Sequence, residues 1–600
     1  MSYPDRDRTD SAVANPWRAA GDIYAHLAPA RRRQLAWTAL LMIAGAVAEL
    51  ATIGAVLPFL AIVTGSGGGR YAGAVALVAR LGESVGLGLV AVSSAMLILV
   101  AAVSAAVRLT LIRTSQTLVF AVAHDLATEI YDRTLHQPYT YHVAQNSSRT
   151  IAGIDKVQFV LGNVLLPAML GLTAAVVSLF ILAGLIAIDP ATSIIVCLCF
   201  ILLYAGVSVA TRRRLYRNAD TIAETLQSRV QTLQEGLGGI RDVLLDHSQA
   251  LFLAKFDRLD RKFRNAQAAN QFIGAAPRYV VEAGGVVLIA LLALYVSGRP
   301  GGLVAALPML GALALGAQRL LPLVQQVYFS WSQIYGNRKA LDDVARLLEL
   351  PRPSASPPAP APAFGDRIEL DRVTYRYPTG ATPALREVSL TIPRGMRIGL
   401  VGKSGGGKST LADLIMGLLD PGEGVLRIDG RPLDQAAKPA WQAQIAHVPQ
   451  AIFLADSSIA ANIAFGRDLT TIDIDRVRAA AAGADLLDFV DSLPDGFATA
   501  VGERGIRLSG GQRQRIGIAR ALYKGASVLV FDEATSALDD ETEASVMAAI
   551  DRLSRSLTII AIAHRVSTLR NCDLIVRIEG GRIVASGPYH EVIAGGRSEA

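Results

Sequence analysis

Six hundred residues, 52% of them hydrophobic and only 18% charged, make a chain too long for one domain and too apolar for a wholly soluble one. A disordered or fibrous chain is excluded as well. The 58 Lys and Arg against 51 Asp and Glu give a formal charge of +7, which suits the basic cytoplasmic loops of a membrane protein. No basic run is interleaved with aromatics, so nucleic acid is not an expected partner.

Residues 1–16 are polar and read as a disordered start. The first apolar run begins only after Arg31-Arg32-Arg33, which argues against a cleavable signal peptide. Residues 17–30 have the spacing of a short amphipathic helix on a membrane surface, within a cytoplasmic N-terminus of residues 1–33. Six apolar runs of spanning length follow, at about 34–63, 86–107, 158–188, 190–211, 274–297 and 303–328. An even number returns both termini to one side. Arg31–Arg33 precede the first run, Arg212–Arg214 follow the fourth, and segments 109–156 and 212–272 are long and charged. The alternate loops are short and poorly basic, so the termini and both long segments are expected in the cytoplasm. Residues 71–82 of the first external loop have the spacing of a short amphipathic helix, to be weighed against an ordinary loop helix.

The two long segments carry helical patterns with little Gly or Pro, so their helices are expected to continue out of the bilayer. Residues 134–147 and 236–248 interrupt them and read as cytoplasmic reversals. The predicted membrane domain runs over 34–350. Residues 351–364 form a Pro/Ala-rich linker, extended by the fixed φ of proline. The last part, 365–600, has the composition of a soluble α/β domain. Cys197, Cys199 and Cys572 have no metal-ligand spacing and do not suggest a disulfide framework.

Gly402-Lys403-Ser404-Gly405-Gly406-Gly407-Lys408-Ser409 matches G-x-x-x-x-G-K-[ST], between an apolar strand (Arg397–Val401) and a helical stretch beginning at Thr410. Glycines allow backbone N–H groups to approach phosphates, and the helix N-terminus adds its positive dipole end. Lys408 is expected to neutralise the β- and γ-phosphates, and Ser409 to ligate Mg²⁺. The apolar strand Val528–Phe531 ends in Asp532, expected to hold Mg²⁺, and Glu533, expected to polarise the attacking water. Leu508-Ser509-Gly510-Gly511-Gln512 opens a helix and ends 16 residues before that acidic strand begins, and it suits a second phosphate cradle.

At this pentapeptide the chain resembles the ABC ATPases, in which it is the signature motif. The resemblance implies that Tyr377 stacks on adenine and that Gln450 contacts Mg²⁺ and senses the membrane domain. It implies that Asp539, in Ser536-Ala537-Leu538-Asp539, belongs to the D-loop and that His564 is the switch histidine at the γ-phosphate. Val501-Gly502-Glu503-Arg504-Gly505 resembles the exporter-type loop that touches the coupling helices. In this family each ATP is sandwiched between the phosphate loop of one copy and the signature of another. One phosphate loop and one signature therefore imply two chains, most simply a homodimer, with a separately encoded partner as the alternative. The implied fold is an all-α six-span membrane domain with long cytoplasmic helix extensions, followed by an α/β P-loop ABC ATPase domain. The two reversals would be its coupling helices.

Three stretches of the membrane half resemble the flippases of bacterial lipid-linked oligosaccharides: Glu49–Gly54 with Leu57-Pro58-Phe59, Gln137–His142 with Asn146-Ser147-Ser148, and Pro277-Arg278-Tyr279 with Arg319–Pro322. The implied cargo is an anionic lipid-linked (polyprenyl-pyrophosphate) saccharide, flipped or exported across a bacterial cytoplasmic membrane. Arg108, Arg278 and Arg319 match the arginines that line the flippase cavity. Charge inside a span usually faces a cavity or a partner, and a guanidinium fork suits phosphate oxygens. Snorkelling, or pairing with Glu49 and Glu282, is the competing reading, and Arg113 a competing candidate. Export of a drug, plain lipid or soluble glycan is the alternative function. A membrane ATPase that regulates and moves nothing is a remoter one.

Overall fold

The computed structural model describes residues 15–63, 88–144, 147–188, 190–297, 302–352, 364–378, 382–532, 557–562 and 569–594, with isolated positions at 73, 76, 78, 80, 83 and 380. Contacts divide the chain into two compact units: residues 1–137 with 145–353, and residues 138–144 with 354–600. The expected external helix at 71–82 lies largely outside the described residues, and the linker almost entirely so.

The first unit is helical. Helix α1 (Pro16–His26) starts where Asn15 Oδ1 accepts the Trp17 N–H at 3.1 Å and Pro16, which lacks an N–H, fills the first turn. Then come α2 (Pro29–Val63) and α3 (Leu89–Leu135), and, in the second unit, the short α4 (Tyr139–Ala144). Helix α5 (Ser147–Val160) runs through a π-helical turn, Leu161–Leu165, into α6 (Leu166–Ile188). Helices α7 (Pro190–Gly238), α8 (Ile240–Leu245), α9 (Gln249–Ser297), α10 (Gly302–Gly336) and α11 (Arg338–Leu348) complete the unit. By length and apolarity, α2, α3 and the stretch Gly153–Ile186 are able to cross a membrane among the described residues.

Helix α3 has 47 residues, and α7 and α9 have 49 each. At ~1.5 Å per residue each is ~70 Å long, more than twice the ~30 Å of bilayer hydrocarbon. The helices break within the two predicted reversals, and each break holds a short helix, α4 or α8. The polar ends of these helices build a core like that of a soluble protein. Leu118, Val122, Leu126 and Ile130 of α3 pack with Val157 and Val160 of α5 and with Leu341, Val344 and Leu348 of α11. Helix α1 adds Ala19 and Ile23, so its apolar stripe is covered by protein, while Trp17 and Tyr24 remain exposed. Ion pairs brace this region: Lys156 with Asp343 at 2.5 Å and Arg31 with Asp125 at 2.8 Å.

Helix α10 approaches its neighbours through glycines. A Cβ on Gly171 of α6 would lie 2.4 Å from the Ser330 Cβ. At the same contact Ser330 Oγ donates to the Pro167 carbonyl at 2.6 Å. Gly274 of α9 stands equally close to Phe329 and Ser332. Pro167 cannot donate to the helical ladder, and the π-helical turn comes just before it.

In the second unit, strand β1 (Arg367–Tyr375), β2 (Leu385–Pro393), β4 (Glu423–Ile428) and β5 (Arg431–Pro432) form an antiparallel sheet in the order β2-β1-β4-β5. Strands β3 (Arg397–Val401), β6 (Ile445–Val448), β7 (Val528–Asp532), β8 (Thr558–Ile562), β9 (Leu574–Glu579) and β10 (Arg582–Gly587) form the second, in the order β10-β9-β3-β8-β7-β6. Five of these run parallel, and β10 pairs antiparallel at the edge. Strands β3 and β7 are near-continuous apolar runs because both faces of a parallel sheet are covered. One core lies between the two sheets and helix α12 (Lys408–Ile415), through Leu370, Ile392, Leu400, Leu411 and Ile415. A second core joins helix α13 (Ile474–Gly483) to α14 (Gly510–Lys524), through Val477, Ile516, Ile518 and Val448.

The glycine contacts give a paired test. Gly171→Ala is expected to destabilise the membrane unit by about 1–3 kcal/mol through overpacking. Gly206→Ala on α7, where a Cβ meets nothing within 4 Å, should be neutral or slightly stabilising. Thermal unfolding of both variants in detergent reads the difference, and equal shifts would refute the close packing.

Candidate nucleotide site and a charged cluster among the membrane helices

Parallel pairing brings the motif-bearing strand ends level. Leu400 of β3 and Asp532 of β7 are both in register with Ile562 of the intervening β8. The phosphate loop therefore leaves β3 level with the acidic end of β7, one strand away across β8, at the carboxyl edge where α/β sheets place ligands. His564 follows β8 by two residues, but His564, Glu533 and Asp539 lie outside the described residues.

The loop itself admits only glycine at its tightest points. Gly402 has φ +147°, and a Cβ there would sit 2.0 Å from the Ile578 carbonyl oxygen. Gly407, at φ +110°, would meet Ala384 O at 2.9 Å. Gly407 is also the N-cap of α12 and offers no side chain to its first turn, so those N–H groups are left for a ligand. The buried Lys408 reaches back over the loop, its Nζ donating to Gly402 O at 2.8 Å and Lys403 O at 3.1 Å. The ammonium is thus held at the mouth of the cradle. Together these features fit a polyphosphate.

Tyr377 closes one side. Its hydroxyl lies 3.2 Å from Thr410 Oγ1, and its ring meets Tyr375 edge-on at 5.0 Å. On the other side Asp532 faces α12. Burial, and then the charge of Asp532, push the Asp413 carboxyl up to about 6. Asp413 lies four residues beyond Ser409 on α12, and carboxylates and a hydroxyl are the donor types that suit a hard divalent cation such as Mg²⁺. No motif singles out Asp413; its spacing of four from Ser409 in a helix is the one signal the sequence offers. Burial, then the charge of Asp413, push the Tyr139 hydroxyl of α4 up as well.

The signature residues do something local first. Ser509 is the N-cap of α14: its Oγ accepts the Gln512 N–H at 3.2 Å, and Gln512 Oε1 accepts the Ser509 N–H at 2.8 Å. This reciprocal capping box presents Gly510 and Gly511 at the start of the helix. Helix α14 belongs to the second core and α12 to the first, so loop and signature stand on different parts of the unit. Gln450 is exposed just beyond β6.

Among the membrane helices, Arg108 of α3 and Arg319 of α10 meet on one carboxylate. Arg108 Nη1 donates to Glu49 Oε2 at 2.9 Å and Arg319 Nη1 to Glu49 Oε1 at 2.5 Å. Arg278 does not join them within these contacts. It pairs with Glu282 one turn along α9, at 2.7 Å.

Residues 385–536 match the ABC transporter family. The chain is 34% identical to the ATP-dependent lipid A-core flippase of Alkalilimnicola ehrlichii over 407 residues, covering 65% of this chain and 66% of that protein. It is 32% identical to the flippase of the same name from Burkholderia thailandensis over 489 residues, 79% of each chain. The solved structure of a bacterial Atm1-family ABC exporter with ATP bound shares the fold, with a TM-score of 0.74 at 24% identity, over 95% of this chain and 98% of that one. A helical membrane domain followed by an ATP-binding α/β domain defines a membrane-bound transport ATPase. The chain belongs to the ABC transporter family, as an exporter-type half-transporter with one membrane domain and one ATPase domain.

The loop geometry predicts that Gly402→Ala costs at least about 2 kcal/mol in the ATPase unit, because strain at a backbone clash has nowhere to go. Nucleotide-dependent thermal stabilisation should disappear with it. Gly405→Ala, at φ +79° with open space around its Cβ, should lose less.

Proposed function

We propose that the chain is one half of an ATP-driven flippase of a bacterial cytoplasmic membrane, moving an amphiphile with an anionic phosphate headgroup. The specific cargo proposed is a polyprenyl-pyrophosphate saccharide. The carrying observation is that two arginines from separate apolar helices gather on one carboxylate and keep about half their surface open. An uncharged or cationic cargo has no use for such donors. The relatives named as lipid A-core flippases support a lipid cargo.

In this reading α2, α3, α5–α6, α7, α9 and α10 supply six spans. The basic segments at Arg31–Arg33 and Arg212–Arg214 set both termini in the cytoplasm. Helices α4 and α8 couple the spans to the ATPase. Lys408 and the glycine loop hold the β- and γ-phosphates, Tyr377 stacks on adenine, and Ser409, Asp532 and Gln450 hold Mg²⁺. Glu533 orients the attacking water, and His564 contacts the γ-phosphate. Hydrolysis of bound ATP to ADP and phosphate would supply the free energy of each cycle. Because loop and signature stand on different cores, Ser509, Gly510, Gly511 and Gln512 serve the nucleotide of a second, identical chain, with Asp539 at the seam. Closure of that dimer around nucleotide then shifts the spans between inward- and outward-facing states.

The test is ATP turnover in proteoliposomes with and without a polyprenyl-pyrophosphate saccharide. The lipid should stimulate turnover, and Glu533→Gln should abolish it. Arg108→Ala with Arg319→Ala should lose the stimulation and keep basal turnover. Turnover that ignores the lipid but responds to a drug, plain lipid or soluble glycan overturns the cargo. Turnover that responds to none of them favours a regulatory ATPase.

A further inference from the structure

We propose that Glu49 is the positioning residue of the anion site, holding two guanidinium groups side by side with their binding edges free. This rests on the flippase reading above and adds to it a role for a negative charge.

The geometry is specific. The Glu49 side chain is only 8% exposed, whereas those of Arg108 and Arg319 are 56% and 50% exposed. Each carboxylate oxygen accepts from one arginine, and each arginine spends a single donor, Nη1, on it. Among the described residues neither arginine has another partner, so the Nε and Nη2 donors of both are uncommitted. That edge of a guanidinium is one that grips phosphate oxygens in bidentate fashion. The cluster carries two positive charges and one negative, a net +1 directed to its open side.

Two guanidinium groups on different spans repel each other, and each lowers its own cost by snorkelling towards water. Among the described residues, nothing on their own helices pairs with them. A buried carboxylate between them offsets the repulsion and fixes their separation, because each of its oxygens takes one partner. The ligand class this favours is a group with anionic oxygens on more than one centre, such as a pyrophosphate diester, able to bridge both free edges.

Charge alone predicts the opposite of positioning. If Glu49 merely competes with the cargo, removing its charge tightens anion binding. If it positions, Glu49→Gln loosens binding: the amide keeps one acceptor but turns a donor towards the second guanidinium. Glu49→Asp keeps the charge but is one methylene too short to hold both arginines.

The experiment measures ATP turnover against polyprenyl pyrophosphate in proteoliposomes, with neutral polyprenol and free inorganic pyrophosphate as separate arms. Glu49→Gln should raise the half-stimulating concentration of the anionic lipid about tenfold, equivalent to about 1.4 kcal/mol. Maximal and basal turnover should stay near the parent values. Glu49→Asp should fall between parent and Gln, and it carries the test if the Gln variant does not fold. The polyprenol arm should not respond, and free pyrophosphate should compete weakly. An unchanged or lower half-stimulating concentration in Glu49→Gln overturns the inference. If the arginine variants also respond like the parent, it is the flippase reading that fails. If the arginine variants lose stimulation while Glu49→Gln does not, only the role of Glu49 fails.

Discussion

A parallel sheet puts every carboxyl end on one edge, and the ATPase unit depends on that constraint. Because β3, β8 and β7 are adjacent and level, the phosphate loop starts on the same line as Ile562 at the end of β8 and Asp532 at the end of β7. No long-range folding of loops is needed to gather them. The cost is local: the chain must turn sharply at the end of β3, under the backbone of β9, and Ile578 leaves room there for hydrogen alone. The glycines of the motif thus answer first to the neighbouring strand. The same atoms that would clash with a Cβ define the wall of the cradle.

The membrane unit is governed by a different constraint, the cost of charge and of bulk among apolar helices. Where helices press together, side chains shrink to glycine and serine, as at Gly171 and Ser330. Where charge remains, it is shared, as at Glu49. Towards its polar end the long α3 changes character, and its Leu118 and Leu126 pack with Leu341 and Leu348 of α11 as they would in water.

Much of this was legible in the sequence, for physical reasons. The phosphate loop is a contiguous strand, turn and helix, so neighbouring residues carry the whole pattern. The apolar runs announce themselves because lipid tolerates little else. The reversals were legible as breaks in helical pattern, and α4 and α8 fall on them. What was not legible depends on distant partners. Pairing with Glu49 was one reading of the arginines, but Glu49 lies 59 residues from Arg108 and 270 from Arg319, and no local pattern says that one carboxylate serves both. The cover over the α1 stripe comes from α11, more than 300 positions away, so the amphipathic spacing alone reads as a membrane-surface helix. The capping role of Ser509 and Gln512 is written in the spacing of a cap and its third helical residue, but the signature reading overshadows it.

Glu49 also bears on how the spans can move. It ties α2 to α3 and α10 at once. Pulling α10 away would leave a buried carboxylate with one partner. For a fully buried pair that loss is about 3–5 kcal/mol, and it is smaller where the cations are half-exposed, because water screens them. Moving the three helices as a block breaks neither bond. Each arginine spends only Nη1 on Glu49, so in the proposed site a bound anion need not displace the carboxylate. Under the flippase proposal, a site built this way travels with the block intact, and the alternation of access falls to the surfaces around it.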